Sequence, residues 1–348
     1  MRGRTSTARR LPAGRNVGID LLRVISVVAV VVGHAWPFMP GEEYLQIWRM
    51  PLFFFLSGYF LSTTRTFRGE LNTRWRTLGV PYLTWLAVLS GLVIAHHFTP
   101  WPFTDTWGTV AGAVFGGGFT DMPFLAFWFI SVLFFAVLLT RLLVRLPWWA
   151  QAAAAVAGLG LAQTPHSAMS YTVLGIGLAP ACAAYILAGF WFRRLSASPP
   201  VSSLVRSRWS GAAGLMLVAA GLTGVALGAS TMNMKWSGFG TFLISPVLAV
   251  LICLGLTLIF GHWVDAGLRA APRAVAVVSA LVSTGTLVVF AHPYLLFLMW
   301  DAVQAPPVRV VIALMVCWVL GVVVNRTPLS PYLTGLPRPA KTSAAAPS

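Results

Sequence analysis

Ten apolar runs dominate this 348-residue chain, at residues 17–38, 47–64, 78–98, 124–143, 148–163, 172–192, 211–230, 241–261, 274–299 and 308–324. A helix rises about 1.5 Å per residue, so about 20 apolar residues cross a lipid hydrocarbon core. Charged residues make up only 9% of the chain, against about 25% in ordinary soluble domains. So few charges cannot cover the surface of a soluble enzyme, and the 57% hydrophobic content excludes a disordered chain. The expected fold is all-α, a polytopic membrane bundle of about ten transmembrane helices with both termini cytoplasmic. Residues 1–16 read as a disordered basic tail, 17–326 as the membrane domain and 327–348 as a second disordered tail. The first run has no small-residue cleavage site behind it and is expected to act as an uncleaved signal anchor.

The net charge of +16 suggests a nucleic-acid partner, but its distribution argues against one. With the N-terminus inside, twenty of the 24 basic residues fall in inner segments. The outer segments hold Arg49, Lys235 and Arg309, and Arg23 lies within the first run. Such asymmetry is the positive-inside signature of a membrane protein. Cys182, Cys253 and Cys317 lie in apolar runs without metal-ligand spacing, so no metal site is expected. The absence of an internal repeat counts against transporters built from duplicated halves. The outer segment 99–123, with Gly116–Gly118, either re-enters the membrane or lies on its surface. The surplus of arginine over lysine, with abundant Ala, Gly and Val, suggests a GC-rich bacterial genome, and the multi-pass chain is then expected in a bacterial plasma membrane.

The first run carries the most chemistry. Asp20 and Arg23 are neighbours on a helix, and His34 follows close to three turns later. Ionisable groups at membrane depth usually face a protein interior or aqueous cavity. The expectation is a polar channel lined by Asp20, Arg23 and His34. Asp20 and His34 are about 21 Å apart along the axis, so Asp20 cannot orient the His34 ring. Glu42, Glu43, Asp105, Asp121 and Asp301 are the candidate carboxylate partners, and spacing does not choose among them. His96, His97, His166 and His262 sit at run ends and read as interfacial.

Further along come Met50-Pro-Leu-Phe-Phe-Phe-Leu-Ser57-Gly-Tyr59-Phe60 and Arg74-Trp-Arg76, the latter leading into Pro81-Tyr-Leu-Thr-Trp85. Weaker markers are Phe127-Trp128-Phe129-Ile-Ser131 and Val289-Phe-Ala-His292-Pro293. Pro293 is expected to kink its helix and free a carbonyl nearby. Together with Asp20-x-x-Arg23 and Gly33-His34, these segments resemble the acyltransferase 3 family, densely over residues 17–85 and more weakly to residue 293. The resemblance implies an integral-membrane O-acyltransferase. It would move an acyl group, commonly acetyl, from acyl-CoA to a hydroxyl of a carbohydrate, surface glycan or glycosylated metabolite. Acyl-CoA is then a co-substrate, and no permanently bound cofactor is implied.

By the same resemblance His34 is the catalytic residue, Arg23 its first-helix companion, and Arg74 with Arg76 the acyl-donor pair. The family often has Arg-x-x-Arg there, whereas this chain has Arg-x-Arg; Arg65-Thr-Phe-Arg68 keeps the family spacing further upstream. His292 and Trp128 are implied to line the site. A neutral imidazole suits removal of a proton from an attacking alcohol. Arg23, Ser57 and Tyr59 are the candidate donors to the developing oxyanion. Direct transfer and an acyl-histidine intermediate remain equally open, as does the side from which the acceptor arrives. The competing reading is a transporter or flippase for a polar glycan or its precursor.

Overall fold

A computed structural model of the chain describes residues 15–99 and 104–338. The disorder expected at residues 1–14 and 339–348 lies outside that range. Among the described residues every regular element is a helix, apart from one antiparallel bridge between Asn233 and Gly238. The helices are α1 (Val17–Ala35), α2 (Glu42–Tyr59), α3 (Phe67–Arg74), α4 (Val80–His97), α5 (Thr106–Phe115), α6 (Phe127–Leu143), α7 (Trp148–Leu161) and α8 (Ala179–Ser196). They continue as α9 (Pro199–Arg206), α10 (Ser210–Ala226), α11 (Ile244–Ile259), α12 (Asp265–Arg269), α13 (Pro272–Val282), α14 (Gly285–Met299), α15 (Pro306–Val324) and α16 (Ser330–Leu333). A π-helical turn at Trp75–Gly79 joins α3 to α4, and another at Phe260–Val264 joins α11 to α12.

Each of the ten apolar runs contains a helix, but they are not ten equivalent crossings. Five helical stretches are long and apolar enough to span a membrane: Val17–Ala35, Phe67–His97, Val173–Ser196, Ile244–Arg269 and Pro306–Val324. Two bent pairs raise the number to seven: α9 with α10, bent by 91°, and α13 with α14, bent by 63°. The shortfall has local causes. α2 carries Glu42, Glu43 and Arg49, and α7 has only 14 residues. On α15, Val311, Met315, Val319 and Val323 recur every fourth residue as an exposed apolar stripe. A face of that kind matches lipid rather than water.

α1 is the helix around which the cavities are built. It packs against α2, α13, α14, α15 and the turn between α11 and α12. Its β-branched residues form a helix because hydrocarbon offers backbone groups no other partner. Its first turn is closed by side chains: Asn16 accepts from the Ile19 N–H at 2.9 Å. Asp265 Oδ1 accepts from the N–H groups of Val17 and Gly18 at 2.7 and 3.2 Å. These bonds satisfy donors that a helix start leaves unpaired.

α2 and α8 approach closely at reciprocal glycines. A Cβ on Gly58 would fall 1.8 Å from the Ile186 carbonyl oxygen, and one on Gly189 would fall 1.9 Å from that of Phe55. Small residues at a crossing let helix backbones meet.

Two local expectations are corrected, and a third segment is described. α14 continues through Pro293, and the break in its run lies at Ser283–Thr284, where α13 gives way to α14. Residues 327–338 are part of the fold: α16 packs on α4, and the Leu333 carbonyl accepts from the Trp85 indole at 3.0 Å. The described part of segment 99–123 holds α5 and a 3₁₀ turn at Gly117–Phe119. That turn is docked on the loop between α7 and α8, where the Gly118 N–H donates to the Ser170 carbonyl at 2.7 Å.

Candidate functional site

Two cavities lie along α1. The first, about 390 Å³, opens beside the start of α1 and is lined by Arg23, Ser57, Arg65, Thr73, Arg74 and Thr77 among apolar residues. The second, about 250 Å³, opens near the end of α1 and is lined by His34, Glu42, Gln46, Arg49, Trp128 and Lys235, among others. Phe53, Phe129 and Val289 line both cavities and so form the wall between them. The Phe53 and Phe129 rings are 5.1 Å apart, centroid to centroid. Arg23 and His34 are eleven residues apart, or about 16 Å along the helix, one on each side of that wall.

The arginine cavity is organised by a carboxylate. Glu70 is fully buried and accepts from Arg74 Nε at 2.7 Å and from Arg65 at 3.3 Å. Thr66 caps α3 by accepting from the Gly69 N–H at 3.1 Å, which sets Glu70 in the first turn. Arg65 and Arg74 therefore share one anchor at one cavity. Buried charges of this kind persist only when paired and hydrogen-bonded. The segment 334–336, held on the π-helical turn, closes the same cavity.

At the histidine cavity two histidines meet. His34 Nδ1 lies 2.8 Å from His292 Nε2. The ring centroids are 5.1 Å apart with planes within 10° of parallel. Together those two distances require the facing nitrogens to lie on the line between the centroids. The rings are thus end-on and nearly coplanar rather than stacked face to face. His292, fully buried, makes its second contact from Nδ1 to the Val288 carbonyl at 2.7 Å. A carbonyl only accepts, so His292 Nδ1 carries the proton. Neutral His292 then accepts through Nε2, His34 donates through Nδ1, and His34 Nε2 keeps its lone pair. The bend before α14 allows α13 and α14 both to pack on α1, bringing His292 to His34.

The other sequence candidates divide. Arg23, Ser57 and Arg74 line the arginine cavity, and His34 and Trp128 line the histidine cavity. Asp20 lines neither. Its carboxylate lies 2.5 Å from Arg15 Nε and 3.8 Å from an Arg23 nitrogen, so it belongs to an ion pair at the helix start. Arg76 is exposed on the π-helical turn and away from both cavities, and Arg65 stands in the place expected of it. Tyr59 also lies outside both; its hydroxyl accepts from Arg193 at 3.1 Å, and that guanidinium lies over its ring. Ser57 donates to the Phe53 carbonyl at 2.9 Å. The expected single channel is therefore two compartments, and the partner of His34 is a histidine rather than any of the five carboxylates.

Glu70, Arg49 and Lys235 were not selected as site residues from sequence. Glu70 stands in the basic segment 65–76 as its lone acid. Arg49 and Lys235 carried a signal that went unused, because they are basic residues on the expected outer side. The exposed ring of Trp75 and the glycine at 79 mark the π-helical turn, where backbone geometry rather than residue type turns Arg76 outward.

No curated protein and no solved structure matches the chain. A family model described as an acyltransferase domain matches residues 16–326, nearly the whole described bundle. The match runs through both cavities and through His34 and His292, and the chain belongs to the acyltransferase 3 family.

Proposed function

We propose that this multi-pass membrane acyltransferase moves an acyl group, commonly acetyl, from acyl-CoA to a hydroxyl of a carbohydrate or glycosylated acceptor, with His34 as general base. The observation that carries this reading is the His34–His292–Val288 chain, which leaves one imidazole lone pair at a cavity wall. The arginine cavity suits the donor, because guanidinium groups bind phosphates bidentately. The excess of basic residues near that end argues that it faces the cytoplasm, where acyl-CoA is made. Its thioester arm would extend along α1 to the Phe53–Phe129–Val289 wall, and the acceptor would occupy the histidine cavity.

In the step itself the acceptor oxygen attacks the thioester carbonyl carbon as His34 Nε2 takes the hydroxyl proton. The tetrahedral intermediate collapses with cleavage of the C–S bond, and the proton passes from His34 to the departing thiolate. Imidazolium charge on His34 is eased by the hydrogen bond its Nδ1–H donates to His292, itself oriented by the Val288 carbonyl.

The test uses full-length protein in lipid nanodiscs with labelled acetyl-CoA and a panel of mono- and oligosaccharides. Wild type should transfer label and release CoA. H34A should lose transfer while keeping its melting profile. Wild-type transfer by H34A would overturn the assignment. Movement of a glycan across proteoliposomes without acyl-CoA would favour a transporter.

A further inference from the structure

Among basic residues on the expected outer side, Arg49, Lys235 and Arg309 are all buried, at 9%, 6% and 7% exposure. Topology does not explain them, because the positive-inside bias disfavours cations there, and solubility does not, because they are not at the surface. Two of the three, Arg49 and Lys235, line the histidine cavity.

Their hydrogen bonding is incomplete. Arg49 reaches Glu42 through Nη2 at a long 3.5 Å, and Glu42 also accepts from the Phe38 N–H at 3.2 Å. Arg49 Nη1 is buried without a hydrogen-bond partner. A buried unpaired donor on a charged group is costly to maintain. Lys235 Nζ donates to the Thr120 carbonyl and sits 4.4 Å from the centre of the Trp236 ring. An ammonium has three N–H donors, so that bond leaves donor capacity for a ligand. Glu42 is the one carboxylate on the cavity wall, against two cations.

The location is next to the base. A Cβ on Gly33 would fall 1.5 Å from Arg49 Nη1, so the guanidinium lies against the backbone immediately before His34. The glycine creates the space that the guanidinium fills. Trp128, Gln46 and Asn233 complete the wall with a flat apolar face and neutral hydrogen-bonding groups, which suit a sugar ring.

We propose that the acceptor of this enzyme is an acidic sugar, whose carboxylate or phosphate is held by Arg49 and Lys235 beside the hydroxyl that His34 deprotonates. The assignment rests on the acyl-transfer reading for which hydroxyl reacts, but the anion-binding claim stands apart from it. Arg49 is then a specificity-determining residue, and the acceptor's anion completes the pairing of a guanidinium that Glu42 meets only at 3.5 Å.

Binding and turnover are measured separately. Thermal stabilisation of full-length protein in nanodiscs is read with glucuronate, glucose 6-phosphate and glucose. The two anionic sugars should bind at least about tenfold more tightly than glucose, as a charged hydrogen bond requires. That preference should vanish in R49Q and K235Q, return in part in R49K, and persist in H34A. Preference for one anionic sugar identifies the anion as carboxylate or phosphate. Equal binding of all three sugars by wild type would overturn the proposal. In turnover, R49Q should raise KM for the acidic acceptor by more than it raises KM for the neutral one. An equal fall in kcat for both would mark Arg49 as an oxyanion donor and also overturn it. If R49Q does not fold, K235Q and the wild-type preference decide. Loss of acyl transfer with retained anionic preference refutes the enzymatic reading alone.

Discussion

Replacing His292 is the sharpest test of the proposed base, because its two ring nitrogens do different work and can be removed separately. Asn at position 292 places an amide near Nδ1 and keeps a donor toward the Val288 carbonyl, but it withdraws the acceptor that faces His34. Gln reaches further and can present its carbonyl oxygen where His292 Nε2 lies, 2.8 Å from His34 Nδ1. When His34 takes the acceptor's proton it becomes an imidazolium, and its hydrogen bond to residue 292 becomes charge-assisted. Such a bond contributes about 1.5–3 kcal/mol, corresponding to about a 10- to 150-fold loss of kcat on its removal. H292N should therefore fall in that range and H292Q should lose less, with KM for acyl-CoA little changed in both. The assay is CoA release in nanodiscs with the acceptor that best supports wild-type turnover, alongside melting curves for each variant. His292 is fully buried, so kcat is interpreted only for variants that melt with wild type. Unchanged kcat in a folded H292N would falsify the coupling of the two histidines.

Four further outcomes follow from the geometry. Glu70→Gln removes the charge shared by Arg65 and Arg74, so KM for acyl-CoA should rise by about tenfold, with a smaller effect on kcat; unchanged donor kinetics would refute the anchoring role. Phe53→Trp thickens the wall between the cavities and should abolish transfer while binding of acyl-CoA, read by isothermal calorimetry, is retained. Gly58→Ala forces a methyl into the Ile186 carbonyl and should destabilise the bundle by about 1–3 kcal/mol, read as a lowered melting temperature in detergent. Burial lowers the Lys235 pKa to about 8, with the opposing pull of Asp121 included. Lys235 therefore loses its charge as pH rises through about 8, and KM for an acidic acceptor should rise there while that for a neutral acceptor does not; Glu42, Arg49 and His34, which share the cavity, are checked by repeating the profile in K235Q.

The membrane architecture was legible because lipid imposes a local rule. Every backbone donor must be satisfied within its own segment, so a long apolar run becomes a helix wherever it lies. The same rule hides how runs differ. The α13–α14 run reads as continuous, yet it bends by 63°. Pro293, the residue that announces a kink, lies inside unbroken helix. Helical periodicity aligns Asp20 with Arg23 on one face without saying what that face meets, and here Asp20 meets Arg15. Arg76 was assigned through a family motif rather than through helical phase, and it lies within the π-helical turn, exposed and outside both cavities.

The sequence by itself determined the all-helical class and the family, and it named His34 and Arg23 as candidates, since these reside in runs and motifs within single segments. The partner of His34 was decided only by tertiary structure. His292 is 258 residues away, and no spacing rule links the two; they meet because a bent helix pair packs on α1. The same holds for Arg49, inside α2, and Lys235, in a 3₁₀ turn, which packing encloses in one cavity. Helix formation is a local response to solvent, whereas a reactive site is a set of distances between segments, set by how side chains fill the space between helices.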